Sequence, residues 1–248
     1  MSEEPESCYI CMGDGEDEPF VPEAPCKCKG SLKIHWSCFQ ELGNRTQLCS
    51  MCHSPFIYGS QVVTIYHSPG RIKEKYFMNV HTQLRHGKYV SYYPNGQVNT
   101  MGYYYNGARH RKFEQFYASG RIALIAFYAG DIKHGSYEVF YDQPNSQLKS
   151  SATYSYNALH GVETKYYANG VIKTETTYHL GNRDGPFQSF YPSGAPDVKT
   201  TYVTNKYDGP FIKYYANGVL AIKGMYSYGV KTDDFIKYNK DGEVVADK

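Results

Sequence analysis

Seven cysteines confined to residues 8–52, 27 tyrosines, and a glycine that recurs every 24 to 26 residues predict a chain of two parts. Residues 1–58 are predicted to form a small metal-stabilised module. Residues 59–248 are predicted to be all-β, an elongated antiparallel sheet of about eight β-hairpin repeats. The charges divide at the same place, because the first part carries 4 basic and 9 acidic residues and the second carries 22 and 15.

The metal prediction depends on eight soft donors in four close pairs. These pairs are Cys8/Cys11, Cys26/Cys28, His35/Cys38 and Cys49/Cys52. Zinc binds thiolate and imidazole groups in tetrahedral sets of four, so eight donors predict two Zn²⁺ ions. About fifty residues bury too little apolar surface to fold alone, so the metal is expected to supply the stability. A disulfide-stapled domain is the alternative, and the odd number of cysteines disfavours it.

The order of four cysteines, one histidine and three cysteines, with the phrase "CKCKGSLKIH", resembles the RING-CH (RING-variant) finger of certain ubiquitin ligases. The resemblance covers residues 8–52. It implies that the pairs interleave, so that one ion is held by Cys8, Cys11, His35 and Cys38, and the other by Cys26, Cys28, Cys49 and Cys52. It also implies that Ile10 and Leu42 form the surface that docks a ubiquitin-conjugating enzyme.

The sequence departs from this family in four places. Six residues instead of seven separate the fourth ligand from the histidine, and Leu42 stands where a tryptophan is usual. The final pair, "CSMC", lacks the usual proline, and His53 follows the last ligand where a basic residue is common. The same ligand order occurs in PHD fingers, which bind histone tails. That alternative fits less well, because the second pair is CxC and Gln47 replaces the usual tryptophan.

The repeat is defined by the segments "YYPNG", "FYASG", "YYANG", "FYPSG" and "YYANG". Its anchor position is occupied by Gly70, Gly96, Gly120, Ser146, Gly170, Gly194, Gly218 and Gly242. Asn-Gly or Ser-Gly between aromatic and β-branched runs predicts a hairpin turn. Aromatic residues four before the anchor and tyrosines eight after it have even offsets, which predicts one shared face of the sheet.

A second recurring glycine is expected to make the return turn into the next hairpin. It occurs as Gly87, Gly135, Gly161, Gly185 and Gly209, with Arg111 in that place once. Four histidines share the phase of the repeat: His86, His110, His134 and His160. Neighbouring copies would lie about 10 Å apart, too far for a common metal ion, so we expect them to pack at turns.

The pattern over residues 60–245 resembles MORN repeats, in particular their variant form. That resemblance implies an elongated antiparallel meander. A RING-CH-like finger joined to such repeats is similar to proteins of large DNA viruses.

The leading functional hypothesis is a RING-type E3 ubiquitin ligase, in which the zinc module docks a charged conjugating enzyme and the repeat sheet binds a protein substrate. No catalytic residue is predicted, because every cysteine is assigned to zinc. The alternative is a non-enzymatic MORN-repeat scaffold or membrane-associated adaptor with a structural zinc finger. Lys and Arg are interspersed with Asp and Glu and do not cluster, so no nucleic-acid partner is expected, and an anionic membrane is the less favoured partner.

The N-terminus "MSEEPES" is acidic, and no stretch approaches the roughly 20 apolar residues of a membrane span. We therefore expect an intracellular, cytoplasmic protein without a signal peptide or transmembrane segment.

Overall fold

The computed structural model describes residues 60–245. These residues belong to two compact units, 60–110 and 111–245. All regular structure in residues 60–245 is β-strand, and no helix there is long and apolar enough to cross a membrane. The prediction of an all-β antiparallel architecture is confirmed for these residues.

The first unit contains β1 (Ser60–Ser68), β2 (Arg71–Asn79), β3 (Arg85–Tyr92) and β4 (Val98–Tyr105), and β5 (Ala108–Phe116) spans the boundary between the units. The second unit continues with β6 (Ile122–Ala129), β7 (Ile132–Phe140), β8 (Leu148–Ser155), β9 (Ala158–Leu159), β10 (Gly161–Tyr166), β11 (Ile172–His179), β12 (Asn182–Phe190), β13 (Pro196–Val203), β14 (Lys206–Tyr207), β15 (Gly209–Tyr214), β16 (Leu220–Ser227), β17 (Val230–Lys231), β18 (Ile236–Tyr238) and β19 (Val244–Val245). Within each unit the strands pair antiparallel as a meander. The two-residue strands β9, β14 and β17 each pair with the strand before them, which also pairs with the strand after them.

The predicted hairpin turn lies at the repeated motif. The Tyr93 N–H donates to the Gln97 carbonyl at 2.8 Å, and the Gly96 N–H donates to the Tyr93 carbonyl at 2.9 Å. The same two bonds recur at Tyr117, Tyr167, Tyr191, Tyr215 and Asn239. Gly96 has φ of 87°, a conformation that glycine adopts without steric cost. The motif therefore needs glycine for the backbone, while its second aromatic residue begins the turn.

That second aromatic residue also joins one hairpin to the next. The Tyr167 hydroxyl donates to the Phe190 carbonyl at 2.9 Å, and the Tyr191 hydroxyl donates to the Tyr214 carbonyl at 2.8 Å. Tyr117, Tyr141 and Tyr215 make the same bond to Phe140, Tyr166 and Tyr238. We call these five bonds the tyrosine ladder. They explain the second aromatic residue of the motif, which must be tyrosine to supply the donor, whereas the first residue accepts through its backbone carbonyl.

We expect Tyr167→Phe to lower the free energy of unfolding by about 1 kcal/mol, because it removes one ladder bond and leaves the ring in place. Urea unfolding followed by circular dichroism measures the change. Tyr156→Phe is the matched control, since it removes a hydroxyl from a side chain that is 75% exposed at a turn. Equal losses for the two variants would show that the ladder bond does not couple the hairpins.

The return turns lie elsewhere than predicted. Except for the longer turn between β2 and β3, where only Gln83 has positive φ (58°), each is a two-residue turn in which both residues have positive φ, as at Asn106 (47°) and Gly107 (86°). This geometry matches the right-handed twist of the flanking strands. The other return turns of this kind are Gly130–Asp131, Tyr156–Asn157, Leu180–Gly181, Thr204–Asn205 and Tyr228–Gly229.

The second recurring glycine instead occupies a β-bulge, so its assignment to the return turn is wrong. At Gly185, three residues of β12 lie opposite the single residue Thr177 of β11. A Cβ atom on Gly185 would lie 3.0 Å from the Thr177 side chain, and φ there is 120°. Glycine is needed because both the backbone angle and the close approach exclude a side chain.

The prediction of one shared face for the even offsets is also wrong. Ser91 pairs with Thr100, but the next residue, Tyr92, pairs with Val98, so the extra residue shifts the register near the turn. Paired residues share a face, and a one-residue shift moves a side chain to the other face. Tyr92 therefore lies on the face opposite to Tyr104.

Candidate functional site

All residues of the predicted zinc and docking sites lie outside the described part of the chain. They are Ile10, Leu42, Cys8, Cys11, Cys26, Cys28, His35, Cys38, Cys49 and Cys52. Within residues 60–245, no group of three or more His, Cys, Asp or Glu side chains could hold a metal ion. The candidate site that the structure offers is therefore a surface of the sheet.

One face of the second unit is covered by aromatic pairs. Tyr202 packs edge to face on Phe187, with 5.6 Å between ring centroids and 88° between planes. Phe113–Tyr128, Tyr137–Tyr154 and Phe211–Tyr226 repeat this arrangement at 5.6, 5.3 and 5.5 Å. We call the side of the sheet that carries these pairs the aromatic face. Edge-to-face contacts add about 0.5 to 1.5 kcal/mol each beyond the burial of the rings.

A column of small side chains lies under these rings. Ala126 is completely buried, and Thr176 and Thr200 are 5% and 7% exposed. At the end of the column, a Cβ atom on Gly224 would lie 2.4 Å from the Phe235 ring. The aromatic face thus requires a small residue two positions before each repeated tyrosine, because the rings of neighbouring strands cover that position.

Basic side chains lie beside the rings of the aromatic face. The Lys133 ammonium is 4.7 Å from the Tyr137 ring and 5.0 Å from the Tyr154 ring. The Arg183 guanidinium is 4.4 Å from the Tyr202 ring, and the Lys231 ammonium is 4.5 Å from the Phe235 ring. These distances are those of cation–π contacts, which hold a cation in place while leaving it charged.

Lys133, Arg183 and Lys231 occupy equivalent positions, three residues into the chain after a return turn begins. The two equivalent positions between them are held by Leu159 and Tyr207. All five lie on the aromatic face, because their cross-strand partners are the repeated tyrosines Tyr128, Tyr154, Tyr178, Tyr202 and Tyr226. The column therefore alternates cationic with apolar or aromatic side chains in steps of about 10 Å, because each hairpin contributes two strands.

The first unit contains a related cluster. The Arg85 guanidinium is 3.0 Å from the Glu74 carboxylate and lies 4.6 Å from the Tyr76 ring and 4.9 Å from the Tyr89 ring. The Tyr89 hydroxyl donates to the same carboxylate at 3.0 Å. Burial raises the pKa of Tyr89, so this phenol stays a donor at neutral pH. Here the cation is paired with a carboxylate.

Glu163 interrupts the aromatic face. It stands where other repeats have Phe or Tyr, and its side chain is 14% exposed and 3.0 Å from the Lys165 ammonium. The Tyr178 hydroxyl donates to it at 3.4 Å. Burial and then the negative charge of Glu163 raise the pKa values of Tyr154 and Tyr178. An acidic side chain therefore replaces one ring of the aromatic face.

Tyr202 is the most deeply placed of the repeated tyrosines. It is 5% exposed, its hydroxyl accepts from Arg183 Nη1 at 3.1 Å, and its ring lies 4.7 Å from that of Tyr207. Burial, followed by the hydrogen bond with Tyr207, raises the pKa of Tyr202 to about 12. The phenol is neutral at physiological pH, and Tyr202 acts as the packing centre of its repeat.

The repeated histidines pack at return turns, as predicted. His86 is 4% exposed, its Nδ1 lies 2.9 Å from Asn106 Oδ1, and its ring is 5.0 Å from that of Tyr105. His134 packs on Tyr156 at 5.1 Å. Their side chains hold the turns against the sheet.

Sequence reasoning identified the tyrosines eight residues after each anchor and missed their partners. Those partners are Tyr89, Phe113, Tyr137, Phe187, Phe211 and Phe235. The missed signal was an aromatic residue seven positions before most anchors. The column of residues that includes Lys133, Arg183 and Lys231 recurs with the same period as the anchors, and most of its members lie eleven residues before an anchor.

The comparisons with known proteins agree with the repeats. Residues 85–106, 159–179 and 207–228 match the family model of the MORN repeat variant. The three matched segments begin at equivalent positions of the repeat, Arg85, Leu159 and Tyr207, and each runs through an anchor turn to the next return turn. No match to a curated protein was found for the chain. The zinc-finger resemblance of residues 8–52 stays a prediction.

Proposed function

We propose that this chain is a RING-type ubiquitin ligase in which the repeat sheet binds the protein substrate. The observation that supports substrate binding is the aromatic face, where tyrosine rings and charged Arg and Lys side chains are held together over successive hairpins. Tyrosine and arginine are enriched in protein interfaces and dominate their binding energy. The repeats supply such residues at regular intervals on one face.

The proposed zinc module is supported by the chemistry of its donors. Seven thiols and one imidazole in four close pairs fit two tetrahedral Zn²⁺ ions. Zinc would supply folding energy to residues 8–52 and would take no part in the chemistry. Ile10 and Leu42 are proposed to contact the conjugating enzyme through apolar side chains.

The cysteine inventory limits the mechanism. A ligase that carries ubiquitin on itself needs a free thiolate as nucleophile. All seven cysteines are assigned to zinc in this proposal, so none is free to form a thioester. The chain would instead position the charged conjugating enzyme so that a substrate lysine attacks that enzyme's thioester directly, which is catalysis by orientation.

A second candidate function is a MORN-repeat scaffold or membrane-associated adaptor with a purely structural zinc finger. Leu42 and His53 favour it, because they depart from the residues expected around a working docking surface. The family match, which lies in the repeats, fits this candidate equally well.

We expect Ile10→Ala to abolish ubiquitin transfer while both zinc ions stay bound, because it removes the apolar contact to the conjugating enzyme without touching a ligand. Incubation of the full chain with ubiquitin, activating enzyme and a panel of conjugating enzymes measures transfer, and metal analysis measures zinc. Leu42→Ala tests the other docking residue. An active chain unaffected by Ile10→Ala would place the docking surface elsewhere, and a reducible thioester on the chain would contradict direct transfer.

A further inference from the structure

The return turns of the second unit expose large side chains in a row. Tyr156 is 75% exposed, Leu180 is 57% exposed and Tyr228 is 67% exposed. At one further return turn of the unit the first residue is Gly130. Each of the three large residues is the first residue of its turn, and Thr204 occupies the same position in a fourth turn. These four residues, which we call the return-turn rim, are each 24 positions apart in sequence. Successive members therefore lie about 10 Å apart along the edge of the sheet.

The turn geometry does not require these side chains and disfavours them. Leu180 has φ of 46°, and Tyr156, Thr204 and Tyr228 have φ of 48°. Side chains other than Gly, Asn and Asp are strained there by about 1 to 2 kcal/mol. The first unit shows the favourable solution, because Asn106 precedes Gly107 at the equivalent turn. Tyr156 has a packing contact with His134, at 5.1 Å between ring centroids, but the strained and exposed side chains of Leu180 and Tyr228 indicate a role outside folding.

The rim is held in place by bonds from each turn to the preceding one. The Asn157 N–H donates to the Lys133 carbonyl at 3.0 Å, and the Lys133 N–H donates to Asn157 Oδ1 at 2.8 Å. Asn205 and Arg183 repeat both bonds at 2.8 Å. The exposed side chains are thus presented from a fixed backbone, which reduces the entropic cost of binding.

Basic residues outnumber acidic ones on the aromatic face beside the rim, and at the rim itself one carboxylate, Asp208 Oδ1, accepts from the Tyr228 N–H at 3.1 Å. Among paired strand residues of the second unit, the aromatic face carries six cations, Lys133, Lys165, Arg183, Lys213, Lys231 and Lys237, and one acidic residue, Glu163. Glu163 is already paired with Lys165. The opposite face carries three basic and two acidic residues in such pairs: Lys199, Lys206, Lys223, Glu138 and Glu175. The positive charge is therefore concentrated on the aromatic face.

We infer that the return-turn rim and the adjoining cations Arg183 and Lys231 bind an acidic, partly apolar protein segment that crosses the hairpins. This rests on the proposed function, since it gives the chemistry of the protein that the sheet binds. Carboxylates of the segment pair with the cations, and its apolar side chains contact Tyr156, Leu180 and Tyr228. The alternation of cations with Leu159 and Tyr207 matches a segment in which acidic and apolar residues also alternate.

The geometry favours a polypeptide over a nucleic acid or a membrane. Cations of the column stand about 20 Å apart, two hairpins at a time, whereas phosphates on a nucleic acid strand are much more closely spaced. The rings of the aromatic face pack on one another edge to face, so their faces are not offered to bases. The cations lie on the aromatic face, whereas the rim lies at the edge of the sheet. A flat membrane that contacts the rim would therefore not contact the cations.

The test is fluorescence anisotropy of the full chain with a labelled peptide of about twenty residues made of Glu, Leu and Phe. We expect saturable binding that weakens with salt, and weaker binding of two controls, one with Gln for Glu and one with Ser for Leu and Phe. Leu180→Asn recreates the Asn-Gly turn of the first unit. It is expected to raise the unfolding midpoint and to weaken peptide binding about fivefold to tenfold. Lys231→Gln, at an exposed position, is expected to weaken peptide binding as well, because it removes a positive charge.

The outcomes separate this inference from the proposed function. Equal binding of the Glu and Gln peptides, or full binding by Leu180→Asn, overturns the inference even in a chain that transfers ubiquitin. Binding of the chain to vesicles with anionic headgroups that is tighter than its binding to the peptide, and that Leu180→Asn abolishes, also overturns the inference and makes the rim a membrane contact. Peptide binding by a chain inactive in ubiquitin transfer supports the inference and rejects the ligase.

Discussion

Tyr202→Ala is expected to lower the free energy of unfolding by about 3 to 5 kcal/mol, the cost of deleting a buried aromatic ring. The ring packs on Phe187 and Tyr207 and lies under the Arg183 guanidinium, so its removal leaves a cavity in the centre of the sheet. A folded domain has only about 5 to 15 kcal/mol in total, so the loss is a large fraction. Urea unfolding followed by circular dichroism measures it.

Tyr202→Phe is the matched control, because it keeps the ring and removes only the hydroxyl that bonds with Arg183. We expect a loss of about 1 kcal/mol for that variant. Because repeats are coupled mainly to their neighbours, amide hydrogen exchange should show the greatest loss of protection in β12 to β15 for the alanine variant. Similar losses in the two variants would mean that the hydroxyl, and not ring packing, stabilises this repeat.

Removal of zinc is expected to unfold the N-terminal module and to leave the repeats folded. Structural zinc contributes about 10 to 16 kcal/mol in small fingers, more than a module of this size gains from its core. Residues 59–248 contain no cysteine, so the sheet does not depend on these ligands. Metal analysis of the untagged chain should give two ions per chain, and a chelator should abolish proteolytic resistance of the N-terminal module alone.

The control for zinc removal uses the two histidines of residues 1–58, His35 and His53. His35→Ala should lose metal, because it deletes a predicted ligand, while His53→Ala should retain both ions. One ion or none in the wild-type chain would contradict the assignment of eight ligands. Loss of zinc in His53→Ala would show that the ligand set has been misassigned.

The sequence predicted the hairpin turns well because their signal is local. Gly96 and its equivalents need positive φ, and the flanking aromatic residues fix the strands on each side. The bulge glycines were misassigned for the same reason. A glycine such as Gly185 is a local turn signal in the sequence, and only its pairing with β11 shows that it lies in a bulge, with three residues of β12 across from Thr177. A register shift cannot be read from one strand alone.

The candidate surface was predicted in part. The period of the sequence identified Tyr202 and its equivalents but not the partner Phe187. Phe187 lies on the preceding strand, an odd number of residues before the anchor Gly194, and shares a face with Tyr202 only because the register shifts between Ser189 and Phe190. The return-turn rim carries no sequence signal for turns, since Leu180 and Tyr228 are residues that two-residue turns disfavour. Their place in the fold follows from the repeat length and the strand pairing.

The tyrosine ladder has a consequence for how such a chain changes over generations. Every hydroxyl joins equivalent points of adjacent hairpins, so duplication or deletion of one whole repeat by recombination would recreate the same junction. The loop after Tyr141 shows the tolerance of this design: although the repeat there is two residues longer, the Tyr141 hydroxyl still reaches the Tyr166 carbonyl at 2.9 Å. Loss of half a repeat would instead place a donor where a carbonyl is needed. The number of hairpins, and with it the length of the surface, can therefore evolve in whole steps without redesign of any contact.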